Sequence, residues 1–150
     1  MEQHGEAPAQ DTALGSQIMI DFYGCKSRDL DDLEWVENAS IEAAGCAGVA
    51  IVDVVFHRLK PHGIAGVIIN SDSQLTVRTW PNHRYAAVDI FTQDGSFDSD
   101  AAIAQLSVRF GCGVRSVATV QRGKSTDLIG YPAAKTGMSA PASTWYRFQF

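Results

Sequence analysis

A chain of 150 residues, 45% of them hydrophobic, is long enough for one domain with a buried core and is not obviously two. A formal net charge of −5 argues against a general nucleic-acid binder, which needs clustered Lys and Arg, and the lack of any run of about 18 apolar residues excludes a membrane-spanning helix. The polar, acidic start MEQHGEAPAQDTALGSQ lacks the basic and apolar regions of a signal peptide, so a cytoplasmic protein is expected.

Residues 1 to 16 read as a loose N-terminal tail. Ile18 to Tyr23 then alternates as a strand, with Ile18, Ile20 and Phe22 on one face. Ser27 is a plausible N-cap for the following helix, with Asp29, Asp31 and Asp32 in its first turn, where the helix dipole favours negative charge. Leu30, Leu33, Ile41 and Ala44 fall on one helical stripe, and Gly45 is the expected stop. Strands follow at about 49–58, 64–70, 74–80 and 85–92. A second helix over about 98–110 turns Ile103, Leu106 and Phe110 inward and ends at Gly111. A strand near 113–121 closes the domain at about residue 122, and 123–150 reads as a C-terminal tail with an aromatic end at Trp145, Tyr146, Phe148 and Phe150.

The order β-α-β-β-β-β-α-β makes the class α+β. Consecutive strands without intervening helices pair mainly antiparallel, and two helices cover one face of the sheet. The other face is left seeking a partner. Cys25, Cys46 and Cys112 are odd in number, widely separated and without a C-x-x-C pair, which fits reduced thiols better than a disulfide framework or a zinc site. His4, His57, His62 and His83 show no metal-ligand spacing, so no metal is expected.

The chemistry is concentrated between Phe56 and Gly95. Taken alone, Asn70-Ser71-Asp72-Ser73 is a turn between two apolar strands, because these side chains bond to nearby backbone. Its flanks carry more. His57, Arg58, Pro61, Gly63, Gly66, Val67, Ser73, Leu75, Thr76, Thr79, Trp80 and Pro81, then Tyr85, Ala86, Ala87, Asp89, Phe91 and Thr92, stand in order and at matching spacing along a known pattern. That pattern is H-R-x-x-P-x-G-x-S-G-V-V-x-I-S-E-S-H-L-T-x-H-T-W-P-E followed by Y-A-A-x-D-x-F-T-C-G. With Asp21-Phe22-Tyr23-Gly24-Cys25 as an opening strand and turn, residues 17 to 122 resemble the bacterial S-adenosylmethionine decarboxylase proenzymes, as a divergent member.

The resemblance implies one half of an α/β sandwich, in which protomers pair with sites near the interface. It also implies self-cleavage at Asp72-Ser73. The serine hydroxyl attacks the preceding carbonyl, the ester so formed is eliminated, and a pyruvoyl group derived from Ser73 heads the C-terminal piece. That ketone takes a substrate amine as a Schiff base and serves as the electron sink for decarboxylation, here in spermidine biosynthesis. Carried over by position, the catalytic set is Asp72, Ser73, His57, Arg78 and Gln93, and the substrate-binding set is Leu59, Ala65, Gln74, Trp80 and Asn82.

Several of these positions depart from the pattern. Asp72 replaces Glu and Gln74 replaces His. Ala65 lacks the hydroxyl that would polarise the acyl-shift intermediate, and Gln93 lacks a thiol able to return a proton. Arg78 stands where the family has His; a guanidinium is charged under ordinary conditions and does not act as a general base, although it can hold an oxyanion or a carboxylate. His57, His62 and His83 are the nearby imidazoles able to take that work. Leu59 and Asn82 replace the family's adenine-stacking aromatic and its ribose-binding acid. Three functions share this scaffold: a decarboxylase of S-adenosylmethionine, a pyruvoyl decarboxylase of a smaller amino acid such as ornithine or arginine, and an uncleaved binding or regulatory partner of an active relative.

Overall fold

A computed structural model describes residues 12–26, 28–93 and 95–124. Six strands form one antiparallel sheet: β1 (Ala13–Tyr23), β2 (Ile51–Arg58), β3 (Ile64–Asn70), β4 (Ser73–Trp80), β5 (Tyr85–Thr92) and β6 (Val114–Lys124). Their spatial order is β2-β3-β4-β5-β1-β6, so the N-terminal strand lies between β5 and β6. Two helices, α1 (Leu33–Cys46) and α2 (Ser99–Phe110), cover one face, as the order of elements predicts. Strand pairing begins upstream of the expected boundary, with Ala13 opposite Lys124 and Ser16 opposite both Thr92 and Gln121.

The core lies between that face and the helices. Ile20, Phe22, Ile68, Leu75 and Ile90 from alternate strand positions meet Val36, Leu106 and Phe110 from the helices. Phe22 and Phe110 pack edge to face at 5.6 Å, a favoured aromatic geometry. On α2 the expected residues Ile103, Leu106 and Phe110 are buried, and Gly111 ends the helix in the left-handed conformation (φ 57°).

The first helix differs from expectation at both ends. Its N-cap is Asp32, whose carboxylate accepts from the Trp35 N–H at 3.0 Å, while Arg28–Asp31 forms a 3-10 turn before it. Ser27 lies outside the described residues. Gly45 sits inside the last turn, and the chain leaves through Ala47 to Gly48, whose φ of 78° takes the left-handed position. The buried stripe is Val36, Ala39, Ser40, Ala43 and Ala44, because small side chains let the helix lie close on the sheet; Leu33 and Ile41 pack at its margin.

Asp31 is taken by a different job. One carboxylate oxygen accepts from the Gly63 N–H at 2.7 Å and the other meets His62 Nδ1 at 3.2 Å, while Arg58 donates to the Asp31 carbonyl at 2.7 Å. The Gly63 bond, ahead of His62, holds the Asp31 carboxyl below its ordinary value. Thr79 Oγ1 adds a bond to the Leu30 carbonyl at 2.7 Å and accepts from Ile64 N–H at 2.9 Å. The 3-10 turn is thereby fixed to the β2-β3 connection and to the end of β4.

Candidate active site

The β3-β4 connection is as short as a hairpin allows. Asn70 ends β3, Ser73 begins β4, and Ser71-Asp72 turn between them. Ser73 is 6% exposed and Asn70 also 6%, so both polar side chains are buried at the strand ends. Asn70 Nδ2 donates to Ser73 Oγ at 3.0 Å. Directly across the next strand stands Thr92, also buried. Among the described residues Asn70 Oδ1 and Thr92 Oγ1 have no partner, and each such buried orphan costs about 1–3 kcal/mol. The Asp72 carbonyl accepts from the Gln93 N–H at 2.9 Å, and the Asp72 carboxylate receives the Ser96 hydroxyl at 3.4 Å. The bond between residues 72 and 73 thus has a buried hydroxyl on one side and a carbonyl already polarised by a backbone donor on the other.

Strand alternation separates this corner from most of the other expected site residues. Ser73, Leu75, Val77 and Thr79 turn under the helices; Gln74, Thr76, Arg78 and Trp80 turn to the open face. His57, Ala65, Arg78, Ala87, Asp21 and Ser116 form a single row across that open face. Arg78 is five residues along β4 from Ser73, roughly 17 Å of strand, and on the opposite side of the sheet. Ser73 and Asp72 therefore meet Gln93 through its backbone and do not meet His57, Ala65 or Arg78 within the chain.

The open face has its own structure. Arg78 lies over the Trp80 ring at 5.3 Å, Trp80 contacts Tyr85 at 5.2 Å, and Tyr85 stacks on Tyr23 at 5.3 Å. The Tyr85 hydroxyl donates to Asp21 Oδ1, and this bond, with burial, pushes the phenol up to about 12. Ser116 donates to the other Asp21 oxygen at 3.3 Å. Beside the shelf, Trp80, Pro61, His62, Pro81, Asn82 and His83 line a cavity of about 180 Å³. Leu59 is half-buried at the turn leading into it, its N–H donating to the Gly63 carbonyl at 2.8 Å. Farther along, Gln74 joins Leu14, Gln17, Phe91 and Arg122 around a wider groove of about 400 Å³, in which Arg122 donates to Gln17 at 2.7 Å.

Asn70, Tyr23, Tyr85 and Asp21 were given no role in the site by sequence reasoning. Asn70 carried a signal, as the polar residue ending an otherwise apolar strand three places before the serine; the Tyr85–Asp21 bond joins residues 64 apart and has none. No group of three metal-ligating side chains is assembled among the described residues.

A family model described as S-adenosylmethionine decarboxylase matches residues 16–123. Two relatives carry the name S-adenosylmethionine decarboxylase proenzyme over most of both chains. The one from Acidithiobacillus ferrooxidans is 40% identical over 81% of this chain and 90% of its own. The one from Pseudomonas paraeruginosa is 35% identical over 87% and 81%. A third of that name, from Caldanaerobacter subterraneus, is 48% identical over 53% of this chain and 64% of its own. The crystal structure of the adenosylmethionine decarboxylase from Aquifex aeolicus superposes with a TM-score of 0.66 over 74% of this chain and 92% of that one; at 23% identity it supports the fold.

Proposed function

The chain belongs to the S-adenosylmethionine decarboxylase family, and on that premise we propose that it is a pyruvoyl-dependent decarboxylase made as a proenzyme that cleaves itself between Asp72 and Ser73. The observation that carries this is the corner at residue 73: a buried hydroxyl held by Asn70, beside a carbonyl held by the Gln93 N–H. Attack of Ser73 Oγ on the Asp72 carbonyl carbon puts negative charge on the carbonyl oxygen, where a preorganised backbone donor stabilises it more than it stabilises the ground state. Gln93 needs no titrating side chain for that part. Aspartate in place of glutamate at 72 is also no obstacle, since acyl transfer uses the backbone.

The residues present fit a pyruvoyl group at position 73. The unpaired Asn70 Oδ1 and Thr92 Oγ1 are buried polar atoms available to it, and Ser73 heads a strand anchored on both sides by β3 and β5. Such a group supplies a carbonyl that withdraws the electrons left on the substrate carbon when carbon dioxide departs. S-adenosylmethionine is the substrate of the proposal. The aromatic shelf of Trp80, Tyr85 and Tyr23 lies on the open face, away from Ser73 of its own chain, and offers a stacking surface for a purine bound at residue 73 of a second copy; Asn82 retains hydrogen-bonding capacity without charge. The occupant proposed for the open face is a second copy of the chain. Exposed Met19, Tyr23, Val55, Ile69 and Val120 share that face with Arg78, Asp21 and Asp89, an apolar surface with both signs of charge. If positions 57, 65 and 78 act at residue 73, they do so from that second copy.

Carbon dioxide release from S-adenosylmethionine, ornithine and arginine, with and without phenylhydrazine to block the ketone, tests the reading. Release from S-adenosylmethionine that phenylhydrazine abolishes is the expected result. Release from ornithine or arginine alone would move the substrate, and no release from any of the three would favour a non-catalytic partner.

A further inference from the structure

Asn70 is hard to explain as packing. It ends a strand whose preceding residues, Ile64 to Ile69, are apolar or glycine, and it is buried to 6% exposure with one amide atom on Ser73 Oγ and the other, among the described residues, on nothing. Turning the amide over exchanges which atom meets the serine and leaves the other orphaned, so either orientation keeps one unmet polar group. An apolar side chain of similar size would remove that orphan but leave the buried Ser73 hydroxyl without its partner. The carboxamide therefore earns its place through what it does to Ser73.

We infer that Asn70 is the positioning residue for self-cleavage, setting the Ser73 hydroxyl toward the Asp72 carbonyl in place of a group supplied from position 65. This rests on the proenzyme reading above. Ala65 has no hydroxyl and lies on the open face, opposite Arg78, whereas Asn70 and Thr92 are the side chains gathered at the cleavage point. In the amide orientation that presents Oδ1, the carboxamide accepts the Ser73 O–H and points the oxygen lone pair away from itself; in the other, Nδ2 fixes the oxygen. Either way the hydroxyl loses its freedom to rotate, the positional restriction that an intramolecular attack exploits. In the step itself the bond from Ser73 Oγ to the Asp72 carbonyl carbon forms and the peptide C–N bond breaks. The hydroxyl proton ends on the freed Ser73 amine; loss of the Ser73 α-proton then expels the Asp72 α-carboxylate and divides the chain, and water converts the dehydroalanine so formed to the pyruvoyl group with release of ammonia. Gln93 N–H holds the carbonyl oxygen throughout.

The test compares the full-length chain with Asn70→Leu and Asn70→Asp, following the two fragments by intact mass over time and folding by thermal melting. Asn70→Leu, which exchanges the Asn70 orphan for an unpaired Ser73 hydroxyl, is expected to remain folded with a cooperative melt and to cleave at least tenfold more slowly. Asn70→Asp, which keeps an acceptor beside the hydroxyl, is expected to recover cleavage with a new dependence on pH through the carboxylate range. Parental cleavage rates in a folded Asn70→Leu would overturn the inference and leave the proenzyme reading standing. An Asn70→Asp that is folded, yet as slow as Asn70→Leu at every pH, would also overturn it. A parent chain that never divides would overturn the proenzyme reading and this inference together.

Discussion

The two faces of the sheet are written in alternate residues of the same strands, and they are different materials. Under the helices stand Phe22, Ile68, Leu75, Ile90 and, at the edge of that layer, the buried trio Asn70, Ser73 and Thr92. Outside stand Arg78, Trp80, Tyr85, Tyr23 and Asp21, a polar and aromatic surface open in the single chain. The lesson concerns how departures from a family pattern are weighed. Ala65 and Arg78 look like damage to one site when read along the sequence, yet roughly 17 Å of strand and the thickness of the sheet divide them from the hydroxyl that defines the proenzyme. A change on the outer face reaches that hydroxyl only through another molecule.

The largest effect that separates the faces is on stability. Leu106→Ala, emptying a fully buried position, is expected to cost about 2–5 kcal/mol in urea unfolding, whereas Val120→Ala on the open face costs less than about 1 kcal/mol at high dilution. A Val120→Ala cost that grows with protein concentration would sharpen the contrast by showing that a second copy covers that face. Next comes ligand binding. Trp80→Ala removes the centre of the aromatic shelf and is expected to weaken S-adenosylmethionine binding about tenfold, or about 1.4 kcal/mol, in calorimetry; unchanged affinity would remove the shelf from the site. Cleavage by the double variant Arg78→His with Ala65→Ser is expected to change by a few-fold at most and only in a concentration-dependent way. A concentration-independent acceleration would mean that the open face acts on Ser73 within one chain.

The smallest effects lie in alkali. Burial, then the nearby Cys112, pushes the Cys25 thiol from 9.0 to about 11, and the bond to Asp21 pushes Tyr85 from 10.0 to about 12. Both folded values exceed the unfolded ones, so each contribution is complete below the unfolded value and is lost as pH rises through the folded one. Cys25→Ala is expected to flatten the fall in melting temperature between about pH 9 and 11, and Tyr85→Phe the fall between about pH 10 and 12. A fall in melting temperature that neither variant flattens would show that these two groups do not set the alkaline limit.

Much of the fold was legible because its signals are local. Ile103, Leu106 and Phe110 recur at helical spacing and Gly111 follows them; the alternation in β1, β4 and β5 gives their faces directly. The start of α1 was not: Ser27 was read as the cap with Asp29, Asp31 and Asp32 in the first turn, whereas Asp32 is the cap and Asp31, before it, is held by Gly63 and His62, contacts more than thirty residues away in the chain. The buried stripe of the helix was legible in part: Ala44 is buried as expected, and Leu30 too, from the 3-10 turn, but hydrophobic size favoured Ile41 where close approach to the sheet favours Ala39, Ser40 and Ala43. At the site, Ser73 and Asp72 were found by resemblance. Asn70 hid inside its own turn, where a polar residue needs no further explanation, and the shelf depends on β1 lying beside β5, a pairing no short window contains.

The central claim is that the buried Ser73 hydroxyl opens the peptide bond before it. Intact mass of the purified chain, followed through a prolonged incubation beside Ser73→Ala, tests it most directly. Two fragments dividing between Asp72 and residue 73, the second blocked to Edman sequencing, with Ser73→Ala remaining whole, is the predicted result. A single unbroken parent chain throughout would contradict it.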